Sequence, residues 1–268
     1  MPDKRRHRGP HPDDRRIFEP SQLPRLRQAV AELSWLLSRG YAPDSALKLV
    51  GDRHALTVRQ RTAVQRSACP DESLQARLAK CVPPEQVAGQ ALGIDGYNLL
   101  ITVECALSGA MVLIGRDGCY RDLASIHGTY RKVEETRPAV ELIVDHVATL
   151  MPRRVDWLID RPVSNSGRLK ALIADVLESR AAPCSEDEKD RFALADRQGA
   201  VPDRGTLWNV ELVDSPDALL TAYPGVVVTS DSVILDGCDQ WTNLAGEIIR
   251  HCTPDAWRVD LRPGDAEA

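Results

Sequence analysis

No apolar run in this 268-residue chain approaches the roughly 18 residues of a membrane-spanning helix, and the charged start from Met1 to Arg16 lacks the apolar core of a secretory signal. Together these absences predict a cytoplasmic protein with no membrane partner. Seven cysteines, Cys69, Cys81, Cys105, Cys119, Cys184, Cys238 and Cys252, are odd in number and form no CxxC pair, which argues against a zinc or disulfide framework and for reduced thiols. The GxxxxGK[ST] spacing of a Walker phosphate loop is also missing.

What is present is an ordinary globular composition, 43% apolar and 27% charged, in a chain long enough for two domains. The formal net charge of -5 hides an asymmetry. Residues 1 to 80 carry 16 Lys/Arg against 9 Asp/Glu, and the remainder carries 18 against 30. A basic part joined to an acidic part suits a module that grips a polyanion beside one that concentrates cations, though arginine-rich helices also simply solvate a surface.

The basic, proline-containing residues 1–18 read as a mobile arm that buries little apolar surface. Residues 19–83 read as a small all-helical domain. Leu26, Val30, Leu33, Leu36 and Leu37 recur at three and four residues and form one apolar helical face. A second helix is expected after Pro43-Asp44-Ser45, capped by Asp44 or Ser45 and ended by Gly51, and a third from Thr57, carrying Arg59, Arg61 and Arg66. Arg59 and Arg66, seven residues apart, share a face suited to nucleic-acid phosphates. A fourth helix fits Asp71 to Lys80.

From residue 90 to 262 the pattern switches to strands alternating with helices, which predicts an α/β fold with a doubly wound, mostly parallel sheet. Strands are expected at Leu92–Gly96, Ala110–Gly115, Val155–Asp160, Leu207–Val213, Val226–Thr229 and Trp257–Leu261. Helices are expected at Asn98–Leu107, Tyr130–Leu150 with a bend at Pro138, Arg168–Ser179, Ser215–Ala222 and Gln240–Arg250. The polar stretch Ala182–Asp203 reads as an insertion or loop, and Arg116-Asp117-Gly118 as a turn.

Acids stand at or just beyond several strand ends: Asp95, Asp160, Asp231, and Asp214 or Asp217 after the fourth. In open parallel sheets ligands bind outside the carboxyl ends of the strands. Clustered carboxylates repel one another unless a cation neutralises them, and an oxygen-only donor set points to Mg²⁺ or Mn²⁺ and to phosphodiester hydrolysis. Each Asp alone also reads as a helix cap or turn residue.

Asp95-Gly96-Tyr97-Asn98, Leu158-Ile159-Asp160 and Val227-Val228-Thr229-Ser230-Asp231 resemble the first, middle and late motifs of NYN-type ribonucleases, a branch of the PIN-like superfamily, over residues 93–261. The whole chain resembles a two-part family catalogued as domain of unknown function 434. The resemblance implies a PIN/NYN-like fold, with Asp95 and Asp231 as metal ligands, Asn98 as a supporting polar residue, and Asp160 matching less closely. Such enzymes carry a further acid before the late strand, for which Asp217 in Ser215-Pro216-Asp217 is the candidate. Asp217 equally reads as a cap, which would leave the site one ligand short. The segment Arg116-Asp117-Gly118-Cys119-Tyr120-Arg121-Asp122 has no counterpart in that pattern.

Ser164-Asn165-Ser166-Gly167-Arg168-Leu169-Lys170 lies between a strand end and a helix start, where N–H groups, small residues and two cations suit a phosphate. Ser164, Asn165, Ser166, Arg168 and Lys170 are therefore candidate substrate contacts, the alternative being a well-capped loop. His127 is a candidate general acid, and Glu104 faces either the pocket or solvent. Trp157, Trp208, Trp241 and Trp257 read as core. The function expected is a metal-dependent ribonuclease with catalytic Asp95, Asp231, Asp160 and Asp217, binding Mg²⁺ or Mn²⁺ and RNA. The alternative is a non-catalytic RNA-binding or adaptor protein that keeps the fold. A haloacid-dehalogenase-type phosphatase needs an Asp-x-Asp motif, which Asp95-Gly96-Tyr97 lacks. The oligomeric state is not legible.

Overall fold

The structure, a computed structural model, describes residues 7–124, 130–181 and 206–264. His127 and the stretch Ala182–Asp203 lie outside the described residues. Among the described residues, five α-helices come first: α1 (Asp14–Ile17), α2 (Leu23–Leu37), α3 (Pro43–Arg53), α4 (Val58–Ser67) and α5 (Asp71–Lys80). The three-four spacing of α2 buries Leu26, Val30, Leu33 and Leu36. Helix α4 opens on a capping box, in which the Thr57 hydroxyl accepts from the Gln60 N–H and the Gln60 side chain accepts from the Thr57 N–H. Helix α3 departs from expectation: its N-cap is Ala42, Pro43 takes the first helical position, where its fixed φ is already helical, and Gly51 lies inside the helix.

The α/β part follows as β1 (Ala91–Asp95), α6 (Gly96–Leu107), β2 (Val112–Ile114), β3 (Tyr120–Asp122), α7 (Thr136–Thr149), β4 (Arg154–Asp160), α8 (Ser166–Ala181), β5 (Leu207–Val213), α9 (Pro216–Thr221), β6 (Val226–Val228), α10 (Ser232–Gly237), β7 (Gln240–Thr242), α11 (Leu244–Cys252) and β8 (Arg258–Asp260). Five strands form a parallel sheet in the order β5-β4-β1-β6-β7. Alternation along each strand divides the side chains between two cores. Trp157, Ile159, Val226 and Val228 join residues of α6, α7, α8 and α11 on one face, and Leu158 and Val227 join Leu220, Ile234 and Leu235 of α9 and α10 on the other. This double coverage is the doubly wound architecture expected.

Two expected helices change. The stretch Gln240–Arg250 is split, because Trp241 and Thr242 pair in register with Val227 and Val228, and α11 starts only after Asn243 accepts the Gly246 N–H with its side chain. Pro138 does not bend α7; the helix begins at Thr136, so the proline sits in its first turn, where the missing N–H costs nothing. No helix among the described residues is long and apolar enough to cross a membrane.

A second sheet, ordered β3-β2-β8, joins the helical part to the rest. Val112 and Ile114 of β2 face the α/β core, whereas Leu113, with Met111, Leu123, Val259 and Leu261, packs among Leu26, Val30, Leu33, Ala63 and Val64. The helices therefore share a core with this sheet instead of closing one alone. Residues 7–18 are also not a mobile arm, because Ile17 and Phe18 are buried in the same cluster and Arg8 crosses to the buried Glu104, its Nε donating at 2.7 Å. The three arginines of the predicted basic helix all have partners within the chain. Arg59 forms an ion pair with buried Asp14, Arg61 pairs with Asp52 at 2.7 Å, and Arg66 donates to the Asp122 carbonyl at 2.6 Å.

Candidate metal centre

The order of strands reverses at β1, which has β4 on one side and β6 on the other, so the switch point, where open parallel sheets take their ligands, falls at the carboxyl ends of β1 and β6. Asp95 ends β1 and Asp231 follows β6. Gly96 allows this corner to form. A Cβ there would stand 2.6 Å from the Leu158 carbonyl oxygen and 2.8 Å from the Trp157 indole nitrogen, so only glycine lets α6 turn tightly over β4.

Asp95 is buried, and the Thr229 hydroxyl donates to its Oδ2 at 2.8 Å. Burial pushes its carboxyl up to about 7, against the Thr229 hydrogen bond and with help from the charges of Asp231 and Asp217. Asp231 caps α10, its Oδ1 accepting from the N–H groups of Val233 at 2.8 Å and Ile234 at 3.3 Å. Asp160, at the end of β4, is raised by burial and then by the charge of Asp217. Asp217 lies in the first turn of α9, raised by partial desolvation and then by Asp231. Ser215, the N-cap residue of α9, makes no side-chain cap bond. Asp214 stands apart in a surface ion pair with Arg161 at 2.9 Å. Asp231 and Asp217 thus act on Asp95, Asp231 on Asp217, and Asp217 on Asp160, along one edge of the sheet. Among the described residues, however, no three Asp, Glu, His or Cys side chains converge to chelate a metal ion as they stand.

Asn98 braces the site rather than facing outward: its Oδ1 accepts from the Ser230 N–H at 2.9 Å and the Ser230 hydroxyl at 2.8 Å. The Thr229 hydroxyl accepts the Asp231 N–H at 3.0 Å. The proposed phosphate loop lies beside Asp160, but much of it is engaged. The Ser166 hydroxyl donates to the Arg161 carbonyl at 3.1 Å, the Asn165 amide donates to the Tyr130 carbonyl at 2.8 Å, and the backbone N–H groups of Ser166, Arg168 and Leu169 all donate to main-chain carbonyls. Ser164, Arg168 and Lys170 are exposed. The loop therefore offers side-chain cations more than a cradle of amides.

Glu104 faces neither pocket nor solvent; it is buried and accepts from Tyr130, Thr136 and Arg8. Trp157 and Trp241 are core, as expected, with Trp208 and Trp257 packed partly buried against it. The residues that sequence reasoning leaves without a role are Arg77, Asp117 and Arg121. Asp117 is buried, and despite the cost of that burial the guanidiniums of Arg121 and Arg77 hold its carboxyl well below the usual range. The only sequence signal was the unassigned Arg116–Asp122 segment, whose acid and Arg121 lie four residues apart across a turn.

The comparisons agree with a two-part chain. A family model described as "Protein of unknown function (DUF434)" matches residues 25–80, and one described as "Domain of unknown function (DUF5616)" matches residues 84–191 and 194–247. An uncharacterized protein of Methanocaldococcus jannaschii is 27% identical over 154 residues, which cover 58% of this chain and 74% of that protein. No solved structure matches. With the second model spanning more than half of its residues and the first covering its helices, the chain belongs to the DUF5616 family and carries a DUF434 region before it.

Proposed function

We propose that the protein is a divalent-cation-dependent ribonuclease whose centre is the acidic edge of the parallel sheet. The observation that carries this reading is the placement of Asp95, Asp160, Asp217 and Asp231 at or after the carboxyl ends of the parallel strands, where the charges of Asp231 and Asp217 help raise the buried Asp95 carboxyl. Repulsion of this kind is relieved by a cation. The donors are all oxygen, which suits Mg²⁺ or Mn²⁺. Mg²⁺ commonly keeps several waters and takes only one or two carboxylates, so the lack of a three-ligand cluster among the described residues is compatible with it. Asp95 and Asp231 would hold the ion, with Asp160 and Asp217 reaching it through water. The ion's part is to neutralise charge on the phosphodiester and acidify the attacking water. Thr229 and Asn98 orient the loop, Asp217 and Asp160 accept protons, and Arg168 and Lys170 draw the RNA backbone to the edge. The motifs resembling PIN/NYN ribonucleases support RNA as the substrate, and a cytoplasmic location belongs to the same reading.

A second reading keeps the fold and RNA binding without cleavage. It is favoured by the capping role of Asp231, which occupies one of its oxygens. Incubating purified protein with single-stranded and structured RNA, with Mn²⁺, with Mg²⁺ or with chelator, separates the two. Cation-dependent cleavage that disappears in Asp95→Asn supports the nuclease. Binding without cleavage supports the adaptor.

A further inference from the structure

Two arginines reach the main chain on either side of Asp231. Arg121 Nε donates to the Ser230 carbonyl at 2.9 Å, and Arg77 Nη2 donates to the Ser232 carbonyl at 3.3 Å. Both share one buried carboxylate. Arg121 grips Asp117 through two parallel bonds of 2.7 and 2.6 Å, Arg77 Nη1 adds a third at 2.7 Å, and the Cys119 N–H donates a fourth at 3.2 Å. The fork of Arg77 is completed by Asp236 of α10 at 2.7 Å. All three members of the group are almost wholly buried. Replacing a buried ion group by apolar side chains of similar volume is often neutral or stabilising, so stability alone is a weak reason for building one. A planar guanidinium, in contrast, fixes distances and angles at several atoms together.

We propose that Arg77, Asp117 and Arg121 form a clamp that positions the Thr229–Ser232 loop, and so presents the Asp231 carboxylate to a divalent cation; the cation part rests on the metal-centre reading above. Arg77 comes from α5, within the DUF434-matched helices, while Asp117, Arg121 and the loop come from the DUF5616-matched part. The helical region thereby completes the centre through a buried residue, which gives a reason for the two parts to occur in one chain. These are positioning residues, since the arginines bond the main chain on either side of Asp231 and not its carboxylate.

The test uses full-length protein carrying Arg77→Met or Arg121→Met, each of which leaves Asp117 paired with the remaining arginine. Hydrogen exchange of the metal-free protein reads the clamp directly. The Val233 and Ile234 N–H groups, which donate to Asp231, should exchange about tenfold faster, as the loss of a charge-assisted bond implies, while β1 and β4 keep their protection. Mn²⁺ titration followed by electron paramagnetic resonance should give binding about ten- to a hundredfold weaker than wild type, the usual effect of removing a residue that orients a ligand. Unchanged exchange at Val233 and Ile234, or an equal rise throughout the protein, overturns the clamp. Clamp-dependent exchange in a wild-type protein that binds no Mn²⁺ overturns the metal reading instead. If a Met variant does not fold, Arg121→Lys keeps the charge but cannot fork to Asp117 while holding Ser230, and the same two measurements decide.

Discussion

The two flanks of the acidic edge differ in how much of their chemistry is tied down. On the β1/β6 flank Asp95 is bonded to Thr229, Asn98 to Ser230, Asp231 to the first turn of α10, and the carbonyls flanking Asp231 to two arginines. On the β4/β5 flank Ser164, Arg168, Lys170 and Asp217 are exposed, and Asp214 pairs with Arg161 at the surface. A group that must hold a small ion needs a fixed position, and groups that meet a flexible polyanion gain from reach. On the function proposed above, the contrast matches ion binding to the first flank and substrate contact, through Ser164, Arg168 and Lys170, to the second.

The largest effect should follow from breaking the rigid flank. Asp95→Asn and Asp231→Asn should each lower cation-dependent RNA cleavage by about a hundredfold or more, as loss of a charged group aimed at the reacting centre does, while Asp160→Asn loses less. Equal losses in all three, measured as initial rates on one RNA, would erase the distinction between the flanks.

The next effect is on stability against pH. The Asp95 carboxyl titrates near 7 in the folded state against 3.8 as its ordinary value, so the folded protein holds an extra proton between those values. Stability of the metal-free protein therefore falls as pH rises through that window and levels off above it, by at most about 4 kcal/mol. Urea unfolding from pH 4 to 8 should show the slope, and Asp95→Asn should reduce it to the part owed to the other raised acids, Asp160, Asp217 and Asp122. An undiminished slope in the variant removes Asp95 as its main source.

Gly96→Ala sharpens the same side by forcing a methyl against the Leu158 carbonyl. It should cost about 1–3 kcal/mol, read from the urea midpoint. The same change at Gly167, where nothing lies within 4 Å of the added carbon, should have little effect.

The smallest effects belong to the open flank and to the helices. Arg168→Ala with Lys170→Ala should weaken RNA binding and reduce the salt slope of log affinity by about 0.7 for each single-strand phosphate that the protein no longer neutralises. Arg59→Glu with Arg66→Glu should leave that slope alone and lower the unfolding midpoint, because these arginines bond Asp14 and the Asp122 carbonyl. The opposite pattern in fluorescence anisotropy would return RNA affinity to the helices.

The outline of the fold was legible where a single periodicity dominates. The buried run of β1, the three-four spacing of α2 and the β-branched run of β6 each name their element, since local hydrophobic pattern and burial coincide there. The three-residue strands β3 and β7 were not, because they are held by partners distant in sequence: Tyr120–Asp122 by β2, and Gln240–Thr242 by β6. The aspartates of the candidate site were legible as strand ends for the same reason the strands were. Which of Asp214 and Asp217 turns toward the others was not, since one exposed turn separates an ion pair with Arg161 from a place in the acidic edge.

By itself, then, the sequence determined the α/β alternation, the helical start and the acids at the carboxyl ends of strands, all of which follow from backbone geometry and local burial. Only the tertiary structure decided what the charges do. Arg59 and Arg66 found partners in Asp14 and Asp122 within the chain, and Arg77, Asp117 and Arg121, separated by 40 and 4 positions, became one buried group around the Asp231 loop. Charge acts through distance in space, which composition does not contain, and a buried guanidinium takes its role from whichever carboxylates and carbonyls the packing brings within reach.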